Sequence, residues 1–128
     1  MNITQEILSD IVVYNKYAKY LPKKQRRETW KELVTRNKKM HQNKFPNLKE
    51  EIEEVYEMVY DKKVLPSMRS LQFAGKPIDI NNSRIFNCSY LPIDDWRSFS
   101  EVMFLLLSGC GVGYSVQKHH IEKLPEIR

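Results

Sequence analysis

Cys88 stands between Asn87 and Ser89, and further on the chain carries Gly109, Cys110, Gly111, Val112 and Gly113 in succession. A thiol flanked by polar residues suits redox work, because it can give up electrons by forming a disulfide. Glycines beside it let a ligand come close to bare backbone. Three of the four glycines lie in this short run, a density that packing alone hardly explains. The plainer alternative is two buried free thiols, since free cysteine packs as a small hydrophobe. The glycine run does not fit a dinucleotide fingerprint, which needs G-x-G-x-x-G between a strand and the following helix. Here the glycines follow a helix and precede a strand. His119 and His120 are adjacent, should point different ways, and are taken as structural. Ser67, after Pro66, offers a hydroxyl and an N–H to a ligand, though such serines also shape turns.

The elements that must position these groups are a strand over Arg84–Ile93, a helix over Phe99–Ser108 and a second strand over Val112–Gln117. Ser98 and Glu101 make a capping box at the helix start, and Gly109 suits its C-terminal end. The helix is apolar almost all round, which predicts burial on both sides. Strand, buried helix and strand form a βαβ unit with parallel strands.

Upstream, Ile7, Leu8, Ile11 and Val12 have helical spacing. Tyr14, Tyr17 and Tyr20 continue as an aromatic packing stripe that Pro22 ends. A second helix is predicted over about Gln25–Gln42, with Trp30, Leu33, Val34, Asn37 and His41 on one face. Asn47 and Glu50 predict the cap of a third helix, whose inner face is Leu48, Ile52, Val55, Tyr56 and Val59. Residues 63–82 have no clear period and are broken by Pro66, Gly75, Pro77, Asn81 and Asn82. A loop of that length usually covers a site or a neighbour. The domain reading is a helical region over residues 1–62, a loop-rich connection over 63–83, and the start of an α/β domain over 84–128.

The 128 residues suit one domain with a modest core. Hydrophobic content of 41% with 29% charged residues excludes a disordered chain. No apolar run approaches the ~20 residues that cross a bilayer. Without a signal-peptide pattern, a cytoplasmic, non-membrane protein is the default. Two cysteines are too few for a disulfide scaffold or a four-ligand zinc site. Eleven of the 21 Lys and Arg residues lie between Lys16 and Lys44, against only Glu28 and Glu32. That stripe could follow phosphates, meet an acidic partner, or be a solvated face.

Arg84-Ile-Phe-Asn-Cys-Ser-Tyr-Leu-Pro, the apolar helix, and Ser108-Gly-Cys-Gly-Val-Gly-Tyr-Ser together resemble the start of the catalytic barrel of ribonucleotide reductases. The resemblance is closest to class II, the adenosylcobalamin-dependent enzymes. Tyr17-Ala-Lys-Tyr-Leu-Pro, Arg27-Glu-Thr-Trp and Leu65-Pro-Ser-Met-Arg-Ser resemble the N-terminal region of the ribonucleoside-triphosphate reductase branch and fall in the same order.

The resemblance implies a mixed α/β fold: a helical N-terminal region, then the first strand–helix–strand of a ten-stranded α/β barrel that this chain does not complete. It implies reduction of the ribonucleotide 2′-hydroxyl by radical chemistry. Cys88 would be one of two cysteines that end as a disulfide, re-reduced by a thioredoxin-like partner. Ser67, Asn87, Cys88 and Gly111 match substrate-contacting positions for a ribonucleoside triphosphate. Asp94 and Asp95 fall where relatives begin the site for a deoxynucleotide effector. Cys110 has no role in that pattern. The radical-forming cysteine, the partner cysteine, most of the barrel and the main adenosylcobalamin contacts would all lie after Arg128. The chain is therefore expected to be inactive alone, as a truncation or as one piece of a split reductase. Two rival readings are a small basic helical module binding nucleic acid or an acidic partner, and a metal-radical reductase with a separate radical subunit.

Overall fold

In the computed structural model, residues 3–126 are described. The chain forms two compact units, one ending at Asp79 and the other beginning at Ile80.

The first unit is helical. Helix α1 (Ile3–Val12) runs into a π-helical turn over Val13–Tyr17, closed by the Ala18 N–H donating to the Val13 carbonyl at 2.9 Å. A small antiparallel ribbon follows, β1 (Tyr20–Leu21) against β2 (Arg26–Arg27). Its turn opens with Pro22 and closes on Gln25 at φ +50°. This ribbon displaces the start of the second helix. That helix, α2, spans Trp30–Lys44 instead of beginning near Gln25. Thr29 accepts from the Glu32 N–H while the Glu32 carboxylate accepts from the Thr29 N–H, so two orphan donors of the first turn are satisfied at once.

Helix α3 (Lys49–Tyr60) is entered through a 3₁₀ turn at Pro46–Leu48 and has no side-chain cap. The cap predicted at Asn47 is absent because Pro46 starts the helical turn one residue earlier. Val34 of α2 packs against Tyr56 and Val59 of α3, with Trp30, Ile52 and Tyr60 around them. Leu48 and Val55, predicted inward, are exposed. The stretch read as loop holds two short helices, α4 (Met68–Phe73) and α5 (Lys76–Ile80). They are too short to show a period. What fixes α4 is burial of Ser70, Leu71 and the following Ala74.

In the second unit, Asn81 accepts from the Ser83 N–H at 3.1 Å and turns residues 82–85 into 3₁₀ helix. The strand predicted from Arg84 is therefore shorter: β3 is Cys88–Pro92. Helix α6 (Ser98–Leu107) follows, then β4 (Gly111–Ser115), parallel to β3 as expected. The box expected at Ser98 does not form and no side chain caps the α6 start, which is entered through a turn at Asp95. The Asp95 carbonyl accepts from the Ser98 N–H at 3.0 Å, and its carboxylate accepts from the Arg97 N–H at 2.8 Å. Gly109 ends the helix at φ +84°, where a side chain would strain the backbone. A last turn, α7 (Lys118–Ile121), closes the unit.

The expected burial of α6 on both sides is not found within this chain. Ser98 is its one buried residue, and Leu107 is 81% exposed. No helix among the described residues is long and apolar enough to cross a membrane.

Candidate functional site

The β3–β4 register sets Cys88 beside Gly111, Ser89 beside Val112, and Tyr90 beside Gly113. The Gly111 N–H donates to the Asn87 carbonyl at 2.8 Å and locks that register at its first rung. Side chains alternate along a strand. Cys88, Tyr90, Gly111 and Gly113 therefore share one face, and Ser89, Leu91 and Val112 the other. The Cys88 thiol is exposed on the first face.

The two strand glycines are not there to fill a tight space. A Cβ at Gly111 would lie 3.6 Å from the Asn87 oxygen, and one at Gly113 would lie 3.8 Å from the Tyr90 ring. Both are ordinary contacts, and neither residue has positive φ. Their effect is to leave bare backbone next to an exposed thiol, the arrangement that lets a ligand lie flat against a strand.

Cys110, one residue before β4, is buried on the opposite face. Its thiol donates to Ser89 Oγ at 3.4 Å. The two cysteines thus have different environments and are both free thiols, and Cys110 packs as a small apolar residue.

Of the predicted site residues, the structure brings Asn87, Cys88 and Gly111 together on adjacent strand ends. Asp94 and Asp95 follow the C-terminal end of β3. Asp94 pairs with Lys123 at 3.3 Å, and the Asp95 carboxylate accepts from the Arg97 N–H in the turn before α6. Ser67 belongs to the other unit. It precedes α4, its carbonyl accepts the Leu71 N–H at 3.0 Å, and its side chain makes no capping bond. The rings of His119 and His120 do not diverge as expected: their centroids are 3.9 Å apart. His120 Nδ1 lies 3.0 Å from the buried Ser115 hydroxyl, which keeps this pair structural.

Two polar clusters in the helical unit were not foreseen. Asn37, fully buried, donates to Ser70 Oγ at 2.7 Å and accepts from the Tyr56 hydroxyl. Burial pushes the Tyr56 pKa up to about 12 and the His41 pKa down. Glu28, also buried, receives Arg36 through two nitrogens at 2.8 and 2.9 Å and the Lys19 N–H at 3.0 Å. Lys19 Nζ and Arg36 both donate to the Ala74 carbonyl. Desolvation and the neighbouring Arg36 lower the Lys19 pKa. The signal for the first cluster was Asn37 itself, an amide inside an apolar stripe, which burial forces to find partners. These clusters hold α4 and the turn after it, and so fix the backbone around Ser67.

The fold resembles one segment of a solved ribonucleotide reductase structure. That crystal structure, of a B12-dependent class II ribonucleotide reductase, superposes with a TM-score of 0.78 at 26% identity, over 90% of this chain and 21% of that one. In sequence the chain is similar to the adenosylcobalamin-dependent ribonucleoside-triphosphate reductase of Lactobacillus helveticus, 27% identical over 144 residues. The match covers 87% of this chain and 19% of the relative. The enzyme of the same name from Lactobacillus leichmannii is 28% identical over 145 residues, with 87% and 20% covered. The chain thus spans about a fifth of the length of the curated relatives it matches. No family model matches it.

Proposed function

We propose that this chain is the N-terminal part of a class II ribonucleotide reductase, acting on ribonucleoside triphosphates, with Cys88 as a redox-active cysteine. One observation carries the reading: the Cys88 thiol is exposed on a strand face whose neighbouring positions, Gly111 and Gly113, have no side chain. A nucleotide lying on that bare backbone would bring its ribose to the thiol. Asn87 and Gly111 would bind at the same strand ends, and the family resemblance also suggests Ser67 as a substrate contact. Asp94 and Asp95 would begin the deoxynucleotide effector site.

In this reading Cys88 and a second cysteine outside the chain together deliver two electrons and two protons. The C2′–O bond breaks, the oxygen leaves as water, a C2′–H bond forms, and the two thiols become a disulfide. A thioredoxin-like dithiol then reduces that disulfide. The described residues do not fit adenosylcobalamin. An open groove of about 820 Å³ in the helical unit is lined mostly by polar and charged side chains of α2 with Gly75 and Asp79, and includes no residue of the Cys88 face. The reading therefore assigns the cofactor to other parts of the enzyme and routes no step through it here. The apolar side chains on α6 would be covered by the remainder of the barrel, and the chain would be inactive without it.

The test is Cys88→Ser in the chain joined to the rest of the reductase. Multiple turnover with a dithiol should be lost, while Cys110→Ser keeps it. Full turnover by Cys88→Ser would remove the thiol from the mechanism.

A further inference from the structure

Helix α2 carries a feature that the reductase reading does not use. Lys31, Lys39 and Lys44 line one open groove of about 820 Å³, with the buried Met40 and Gly75 beneath them and Asp79 of α5 also on its wall. All three lysines are exposed. Among the described residues none of the three has a carboxylate within ion-pair distance. The other charges of the groove are already matched: Arg36 by Glu28, and Glu32 by Lys24 and Arg26. Three unmatched ammonium groups thus face one carboxylate. Such a cleft concentrates anions.

The spacing selects the anion. At a rise of about 1.5 Å per residue the three lysines are spread over roughly 20 Å of α2, on different sides of the groove. An extended phosphodiester chain is long enough to reach all three, whereas a mononucleotide is not. No aromatic ring lines it, so bases are not stacked and recognition does not depend on sequence. We propose that this groove binds single-stranded nucleic acid through its phosphates. The proposal stands independently of the Cys88 reading.

The experiment uses the full chain and a labelled oligothymidylate followed by fluorescence anisotropy. Three phosphate contacts to a single strand give a slope of log K against log salt of about −2, so affinity should fall roughly 20-fold between 50 and 200 mM salt. Replacing Lys31, Lys39 and Lys44 together by Gln should weaken binding at low salt about tenfold or more and flatten the slope. These are exposed side chains, so circular dichroism should be unchanged. The comparison set is Lys16→Gln, Lys23→Gln and Lys49→Gln, which removes the same charge elsewhere. An equal loss in that set would overturn the proposal, as would no binding at 50 mM salt. Displacement by a nucleoside triphosphate or polyglutamate as effective as by the unlabelled strand would overturn it too.

Discussion

In the helical unit, α2 and α3 bury Leu33, Val34, Tyr56 and Val59 against one another, and the polar groups caught between the helices all have partners. In the strand–helix–strand unit the most apolar helix, α6, leaves Phe99, Met103, Phe104 and Leu107 in solvent, and Trp96, Tyr90 and Tyr114 of the same unit are exposed as well. The α2–α3 pair therefore covers most of its facing apolar surface, whereas α6, like α1 with its exposed Ile3, Ile7, Leu8 and Ile11, carries apolar side chains that the described residues do not cover. Exposed apolar clusters of this kind mark association surfaces. The contrast is between a helix pair that supplies its own apolar contacts and a helix whose apolar face lacks them among the described residues.

The sharpest way to break this contrast is through ion pairs. Glu28 and Arg36 are mostly buried, with side chains 5% and 17% exposed, so Glu28→Gln strands a guanidinium and should cost about 4 kcal/mol in urea unfolding. Its counterpart in the other unit, Asp94 with Lys123, is open to water, and Asp94→Asn should cost under about 1 kcal/mol. Comparable losses would mean that the two units are equally closed.

Core truncations come next. Leu33 has no exposed surface, and Leu33→Ala should cost about 3 kcal/mol. Leu107→Ala in the isolated chain should stay within about 0.5 kcal/mol. It should instead reduce binding of a hydrophobic dye, read by fluorescence. A large loss of stability at Leu107 would show that α6 is covered after all.

The smallest effect is a pH dependence. Burial lowers the pKa of His41 in the folded helical unit. The unfolded chain then takes up a proton that the folded chain resists, so stability falls as pH drops below the ordinary histidine value and is flat above it. Thermal melts from pH 7 to 5 should show this decline, and His41→Gln should remove it. An unchanged slope in that variant would place the titrating group elsewhere.

Periodicity identified α2 and α3, each long enough to repeat its pattern along one face, while an unbroken apolar run, its flanking glycines and the strand–helix–strand order identified α6 and the parallel strands. It missed the β1–β2 ribbon, α4 and α5, whose few residues carry no period. Caps at Asn47 and Ser98 were misplaced for a related reason. Pro46 opens a 3₁₀ turn ahead of α3 and Asp95 a turn ahead of α6, so the path of the entering chain decides which cap can form.

The site divides in the same way. That Cys88 has polar neighbours, and that glycines follow a helix, is written in residue order. These features also carried the likeness to reductases that whole-chain comparison finds again. Residue order could not say that Gly111 is the partner of Cys88, or that Cys110 faces the opposite way. Those facts follow from the β3–β4 register, which a long-range hydrogen bond from Gly111 to Asn87 sets. Nor could it say that Asn37, Ser70 and Tyr56 meet, because they come from three helices. Local chemistry and spacing determine what each segment can become. Only packing between distant segments decides which groups are buried, which are paired, and which thiol is left open.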